Sequence, residues 1–268
     1  MQELLVIKIG GNIVDDEAAL SAFLLQFALL DTAKILVHGG GKIATKIGDK
    51  LGIRSKYVDG RRITDDDTID LVTMVYGGLA NKKIVAQLQA YGCNAIGLTG
   101  ADANIMAANK RPVKTSASGE FLDYGWVGDV RQDGVATDTL QLFLNAGLTP
   151  VLAPLTHNGQ GHILNTNADT IAQETAKAFS KLYDVRLIYS FEKSGVLLDA
   201  DDENTVIPLL QPEYYGQLKA EKKIFAGMIP KLDNAFAALK SGVSQVIIGK
   251  AENLPALTSN QSGTCIAL

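Results

Sequence analysis

The strongest constraint on this chain is a pairing that occurs twice near its N-terminus: a short apolar run followed at once by a glycine cluster. Leu4-Leu5-Val6-Ile7-Lys8-Ile9 leads into Gly10-Gly11, and Ile35-Leu36-Val37-His38 leads into Gly39-Gly40-Gly41. Runs without apolar–polar alternation are covered on both faces, as parallel strands between helices are. Glycines at the strand ends let the backbone come close to a ligand and aim N–H groups at it, and a helix N-terminus just beyond adds partial positive charge. The pair therefore predicts an α/β protein with an anion cradle suited to phosphate. Lys8 strengthens this reading, because an ammonium in an apolar run is costly to bury without an anionic partner.

Strand and helix signals alternate along the rest of the chain, which predicts parallel strands joined by helical crossovers. Asp15 or Asp16 caps a helix with Ala19, Phe23, Phe27 and Leu30 on one face, and helices are expected over 42–51 and 81–91. Thr64 and Asp67 have capping-box spacing for a helix running toward Gly77. Short extended pieces surround a hairpin signal at Ser118-Gly119, and Asn158-Gly159 marks a second hairpin. Helices over 137–145, 170–179 and 228–240 alternate with strands over 150–153, 186–190, 246–248 and 264–267, and the acidic turn 199–204 reads as solvated. A boundary near Asp169 divides the chain into lobes 1–168 and 169–268.

Composition excludes several classes. The net charge of −4 leaves no basic excess to attract nucleic acid or an anionic membrane. The most apolar stretch, 22–30, is too short to cross a bilayer, and Met1-Gln2-Glu3 enters the first strand without a secretion signal. Cys93 and Cys265 read as reduced thiols of a cytoplasmic protein.

Further residues carry chemistry. In Gly227-Met228-Ile229-Pro230-Lys231, Pro230 suits the first turn of a helix and places Lys231 there, against the helix dipole. A lysine so placed makes sense if it meets an anion at that helix end. Asn165-Thr166-Asn167-Ala168-Asp169 sets three short polar groups two apart, on one face if extended, and Asp169 can also cap the helix that follows. Gly60-Arg61-Arg62-Ile63-Thr64 offers a guanidinium for carboxylate binding. His157 and His162 flank the second hairpin without a third metal ligand, and His38 reads as a hydrogen-bonded residue at a strand end. Gly39-Gly40-Gly41-Lys42-Ile43-Ala44, with Asp59 beyond, also satisfies the dinucleotide pattern and keeps a nicotinamide oxidoreductase as a rival.

In this order along essentially the whole chain, these segments resemble the amino acid kinase family. The resemblance implies an αβα sandwich on an open, mainly parallel sheet, with the amino acid in the first lobe and ATP in the second. Within the family, the similarity is to the branch that moves the γ-phosphoryl of ATP, with Mg2+, to the side-chain carboxylate of an N-acylated glutamate in arginine and ornithine synthesis. Lys8, Asp169 and Lys231 would be catalytic, and Gly40, Gly41, Arg62, Asn165 and Asn167 would hold the amino acid. Gly10, Gly11, Glu192, Gly195, Gly227 and Met228, with the two lysines, would hold the nucleotide. The resemblance implies a cytoplasmic homodimer and no metal-ligating side chains. Phe191-Glu192 departs from the small residue and aspartate usual before Ser194-Gly195, which motivates a non-catalytic regulatory member as an alternative. Acetyl is the expected acyl group. The basic cluster Lys110, Arg111 and Lys114 motivates succinyl as the alternative.

Overall fold

A computed structural model describes residues 1–58, 61–115, 121–199, 201–224 and 228–268. Its main sheet, among the described residues, has eight strands. In spatial order these are Leu209–Leu210, Thr264–Ile266, Gln245–Lys250, Asp184–Phe191, Glu3–Ile9, Ala33–His38, Thr149–Leu152 and Ala95–Leu98. The six strands from Gln245–Lys250 to Ala95–Leu98 are parallel, and Thr264–Ile266 pairs antiparallel to its neighbour. Both cysteines are free. No helix among the described residues is long and apolar enough to cross a membrane.

Alternation along the buried strands divides their side chains between two cores. Leu4, Val6, Ile35, Val37, Val185, Leu187 and Tyr189 join one, together with Ile171 and Phe179 of the helix Ala168–Phe179 and Leu232 and Phe236 of the helix Ile229–Lys240. Leu5, Ile7, Ile9, Leu36 and Ile188 join the other, against Phe23, Leu24 and Phe27 of the helix Glu17–Ala28 and Ile84 and Leu88 of the helix Asn81–Ala90. Both sheet faces are thus covered, and the architecture is the expected αβα sandwich. The same parity puts Lys8 on the Leu4–Val6 face, beneath the helix Ala168–Phe179.

The strand Glu3–Ile9 sits where the winding reverses. Strands from residues 33–152 lie on one side of it, and strands from residues 184–266 lie on the other. Connections leaving in opposite directions open a crevice at the carboxyl ends of such strands, where α/β proteins bind ligands. Gly10-Gly11, Gly39-Gly40-Gly41 and Glu192 all follow strand ends at this edge.

Several local expectations are corrected. Asp65, not Thr64, caps the helix Asp66–Val72 by accepting from the Thr68 amide, while the Thr64 hydroxyl donates to the Arg62 carbonyl. Gly77 ends no helix, because the chain continues through π-helical turns at Thr73–Ala80 into Asn81–Ala90. Asp16 caps the helix Glu17–Ala28, preceded by a five-residue helix Gly11–Asp15. The acidic turn is exposed at its described residues, as expected, with Asp199 and Asp202 accepting from nearby backbone amides and Glu203 accepting from the Ser194 amide. The helix Pro212–Ala220 carries a proline at its start, a signal the sequence reading passed over. A smaller sheet of Ile163–Asn165, Leu155–His157, Met106–Lys110 and Gly128–Val135 covers the amino-half side of the crevice and includes the expected Asn158-Gly159 hairpin. The Ser118-Gly119 signal lies outside the described residues.

Candidate active site

At the centre of the crevice one carboxylate faces two lysines. Asp169 Oδ1 lies 2.8 Å from Lys8 Nζ, and its Oδ2 lies 3.7 Å from Lys231 Nζ. All three side chains are largely covered. Burial pushes the Asp169 carboxyl up, but the two ammonium groups outweigh it and hold its pKa at about 2. Burial is also the main influence on Lys231 and lowers its pKa, with Asp169 opposing that shift. Asp169 is therefore ionised near neutrality and faces two basic side chains, an arrangement that suits an incoming anion.

Asp169 is free for this role because Asn167 takes the cap. The Asn167 side chain accepts from the amides of Asp169 and Thr170, ending the extended segment at Asn165 and starting the helix Ala168–Phe179. The expectation of three groups on one extended face gives way to three different positions: Asn165 at a strand end, Asn167 as cap, and Asp169 in the first helical turn.

A cavity of about 210 Å³ opens on the amino-half side and is lined by Gly39, Gly40, Gly41, Arg62, Asn165 and Asn167, among others. The helix Gly41–Leu51 begins here at Gly40, which has no side chain to cap it, and one of its first amides, that of Ile43, is met by the Asp15 carboxylate. Gly40 has φ +156°, and a β-carbon there would come 3.0 Å from the ring of Tyr76, so only glycine fits. Arg62 is buried. It donates to the Gly41 carbonyl (2.8 Å), to Thr45 Oγ1 (3.0 Å) and to Ser55, and packs on the Tyr57 ring. Asn165 Nδ2 donates to Thr64 Oγ1 at 3.0 Å. Tyr57 and Tyr76 also line the cavity and were not singled out from sequence, since neither lies in a glycine or polar motif.

A second cavity of about 390 Å³ lies across the Lys8 strand, lined by Phe191, Glu192, Gly195, Val196, Met228 and Lys231, among others. Asp201, from the acidic turn, also reaches it. Glu192 is held by Asn12, whose Nδ2 donates to Oε1 at 2.7 Å, tying the first glycine turn to the second cavity. Asn12 was missed in sequence although it directly follows Gly11. The Gly10 amide is spent within the protein on the Ser190 carbonyl at 2.7 Å, and a β-carbon at Gly10 would come 3.1 Å from that of Phe191. Gly10 therefore contributes close backbone approach in place of the expected phosphate donor, whereas at Gly11 a β-carbon would meet open space. Gly227 lies outside the described residues.

His38 is fully buried between backbone and amide partners. Its Nδ1 lies 2.6 Å from the Gly39 carbonyl and its Nε2 lies 3.1 Å from Asn81 Nδ2, and burial lowers its pKa to about 4. It is a neutral brace for the glycine triplet, as its strand-end position suggests. His162 stacks on Trp126, and His157 Nδ1 accepts from the Gly159 amide. Among the described residues no group of three or more His, Cys, Asp or Glu is placed to hold a metal ion. In the basic cluster, Arg111 pairs with Asp129 and lies over Tyr124, Lys110 lies over Trp126, and neither lines the first cavity. Of the three cations behind the succinyl alternative, Arg111 is thus already paired.

A glycine-lined polar cavity and an apolar one, on either side of a lysine-bracketed carboxylate, suit phosphoryl transfer, and the sequence matches the amino acid kinase family over residues 3–250: the chain belongs to that family. It is 56% identical to an acetylglutamate kinase of Cytophaga hutchinsonii over 95% of this chain and 94% of that protein. A second acetylglutamate kinase, from Phocaeicola vulgatus, is 52% identical over 99% and 98%. Among solved structures, an N-acetylglutamate synthase from Neisseria gonorrhoeae shares the fold with TM-score 0.80 at 21% identity, covering all of this chain, which spans 59% of that longer protein. The family match removes the nicotinamide rival, which rested on the segment Gly39–Ala44 with Asp59 beyond it.

Proposed function

We propose that the protein transfers the γ-phosphoryl of ATP to the side-chain carboxylate of N-acetyl-L-glutamate, giving an acyl phosphate and ADP, as a step of arginine synthesis. The observation that carries this reading is the Asp169 carboxylate between Lys8 and Lys231, with a polar cavity on one side and a larger apolar one on the other. The names and identity of the relatives supply the substrate.

The first lobe, 1–168, holds the acid: Arg62 and Asn165 grip its α-carboxylate, with Asn167 and the amides of Gly40 and Gly41 alongside. The second lobe, 169–268, holds the nucleotide against Glu192, Gly195, Gly227 and Met228. The nucleophile is already an anion, so no strong base is needed, and catalysis comes from aligning two repelling anions and stabilising charge on the moving phosphoryl group. Lys8 and Lys231 meet that charge from opposite sides, Gly11 adds a backbone donor, and Asp169 keeps the lysines apart and aimed. Mg2+ enters on the phosphates of ATP, where it offsets their charge. The enzyme works as a cytoplasmic homodimer.

Purified protein given MgATP and N-acetyl-L-glutamate should release ADP and form an acyl phosphate that hydroxylamine traps. Turnover only with carbamate or UMP would move the protein to another branch of the family. A strong preference for N-succinyl-L-glutamate would restore the alternative acyl group, and no turnover with any acceptor would favour the regulatory reading.

A further inference from the structure

The two lysines share one carboxylate but are held by different means. Lys8 Nζ sits 2.8 Å from Asp169 Oδ1, at hydrogen-bond length. Lys231 Nζ is 3.7 Å from Oδ2, too far for one, and lies instead 5.0 Å from the ring centroid of Phe191 and 5.4 Å from that of Tyr189. Both distances are within reach of attraction between a cation and an aromatic face.

The arrangement follows from strand parity. Tyr189 and Phe191 are two apart in the strand Asp184–Phe191, so both rings project from the face that receives the helix Ile229–Lys240. Tyr189 is wholly buried, and its hydroxyl donates to the Asp169 carbonyl at 3.4 Å, which fixes the deeper ring. Phe191 closes the outer side, packs on the core edge and forms part of the wall of the second cavity.

A ring face and a carboxylate hold an ammonium with different consequences. A second carboxylate at hydrogen-bond distance would cancel the charge of Lys231 and occupy its N–H groups. A ring attracts the cation through its quadrupole, accepts no strong hydrogen bond and leaves the net charge intact.

We propose that Phe191, backed by Tyr189, is a positioning residue for Lys231: its ring holds the amino group, with donors not spent on Asp169, at the mouth of the second cavity, while Lys8 stays seated on Asp169. Lys231 is then the mobile member of the pair and is drawn onto the phosphoryl oxygens as their charge grows. This rests on the phosphoryl-transfer reading above.

The test replaces Phe191 with Leu and, separately, with mono-, di- and trifluorophenylalanine, which keep the ring's size while withdrawing charge from its face. Turnover and both Michaelis constants are measured with MgATP and N-acetyl-L-glutamate. The expected result is a stepwise fall in kcat with fluorination, reaching about tenfold for the trifluoro ring, with the Michaelis constant of the acid unchanged. Phe191→Leu should fall at least as far. An active wild type whose kcat is indifferent to fluorination overturns the proposal alone, even if Phe191→Leu is impaired, because the ring would then matter only for packing. A wild type that transfers no phosphoryl group overturns both this proposal and the function on which it rests.

Discussion

The two cavities on either side of the Lys8 strand are built by opposite rules. The first, of about 210 Å³, is fitted with directional donors, each fixed by its own hydrogen bonds: Arg62 on Gly41 and Thr45, Asn165 on Thr64, and a helix start at Gly41. The second, of about 390 Å³, is walled largely by Phe191, Val196, Leu197, Ile224 and Met228, with charge at its rim from Glu192, Lys193 and Asp201. A small acid is told from its analogues by paired polar groups, because a buried donor left without its partner costs about 1–3 kcal/mol. A flat base needs apolar area more than donors. Under the proposed assignment, selectivity for the acceptor would reside in a hydrogen-bonded frame and donor binding in surface complementarity.

Lys8 stands at the seam, and changing it should produce the largest effect. Lys8→Ala is expected to lower kcat by about 10²–10³ while changing either Michaelis constant far less, because its charge partner grows in the transition state. Steady-state kinetics with each substrate varied in turn check this. A near-normal kcat with one raised Michaelis constant would assign Lys8 to a single cavity and break the symmetry claimed for it.

A smaller effect separates the two sides by pH. His38 braces the first cavity's glycines as a neutral ring, its pKa lowered by burial from 6.5 to about 4. The unfolded chain therefore takes up this proton first as pH falls, so stability from His38 is complete above 6.5 and declines between 6.5 and 4. The loss is on the order of 3 kcal/mol. Asp169, held at about 2 by the lysines, keeps its charge through that window and gives up its contribution only between 3.8 and 2. Denaturant unfolding of wild type and His38→Gln should show a steeper decline for wild type between 6.5 and 4. Equal slopes would mean that His38 titrates as freely when folded as when unfolded.

How much of this was legible in sequence follows from how local each determinant is. The glycine turns, Lys8 and the proline before Lys231 sit within single strand–turn or turn–helix units, and their chemistry could be read from a few residues. Asp169 suits a helix cap by spacing, and Asn167 reads from sequence only as a ligand-facing group. Only the folded chain shows that Asn167 takes it, because the choice depends on two lysines from segments far away in sequence. Phe191 was visible as a departure but had no legible role, since that role depends on a helix that starts nearly forty residues later. Arg111 looked like an available cation because Asp129 lies on a neighbouring strand whose register no local pattern specifies. The Thr64–Asp67 spacing misled for a related reason: Thr64 sits in a bridge to Gly125, and the cap falls one residue on.

The central claim is that acid and nucleotide occupy separate cavities and meet only at the lysine–aspartate centre. Calorimetric titration of N-acetyl-L-glutamate and of ATP into two variants tests it most directly: Arg62→Ala, which removes the buried guanidinium of the first cavity, and Met228→Glu, which places a carboxylate in the second. The account predicts opposite outcomes, with Arg62→Ala losing the acid but binding ATP as wild type does, and Met228→Glu losing ATP but binding the acid. If either variant weakens both ligands equally, or if the losses are exchanged, the assignment of the two cavities is wrong.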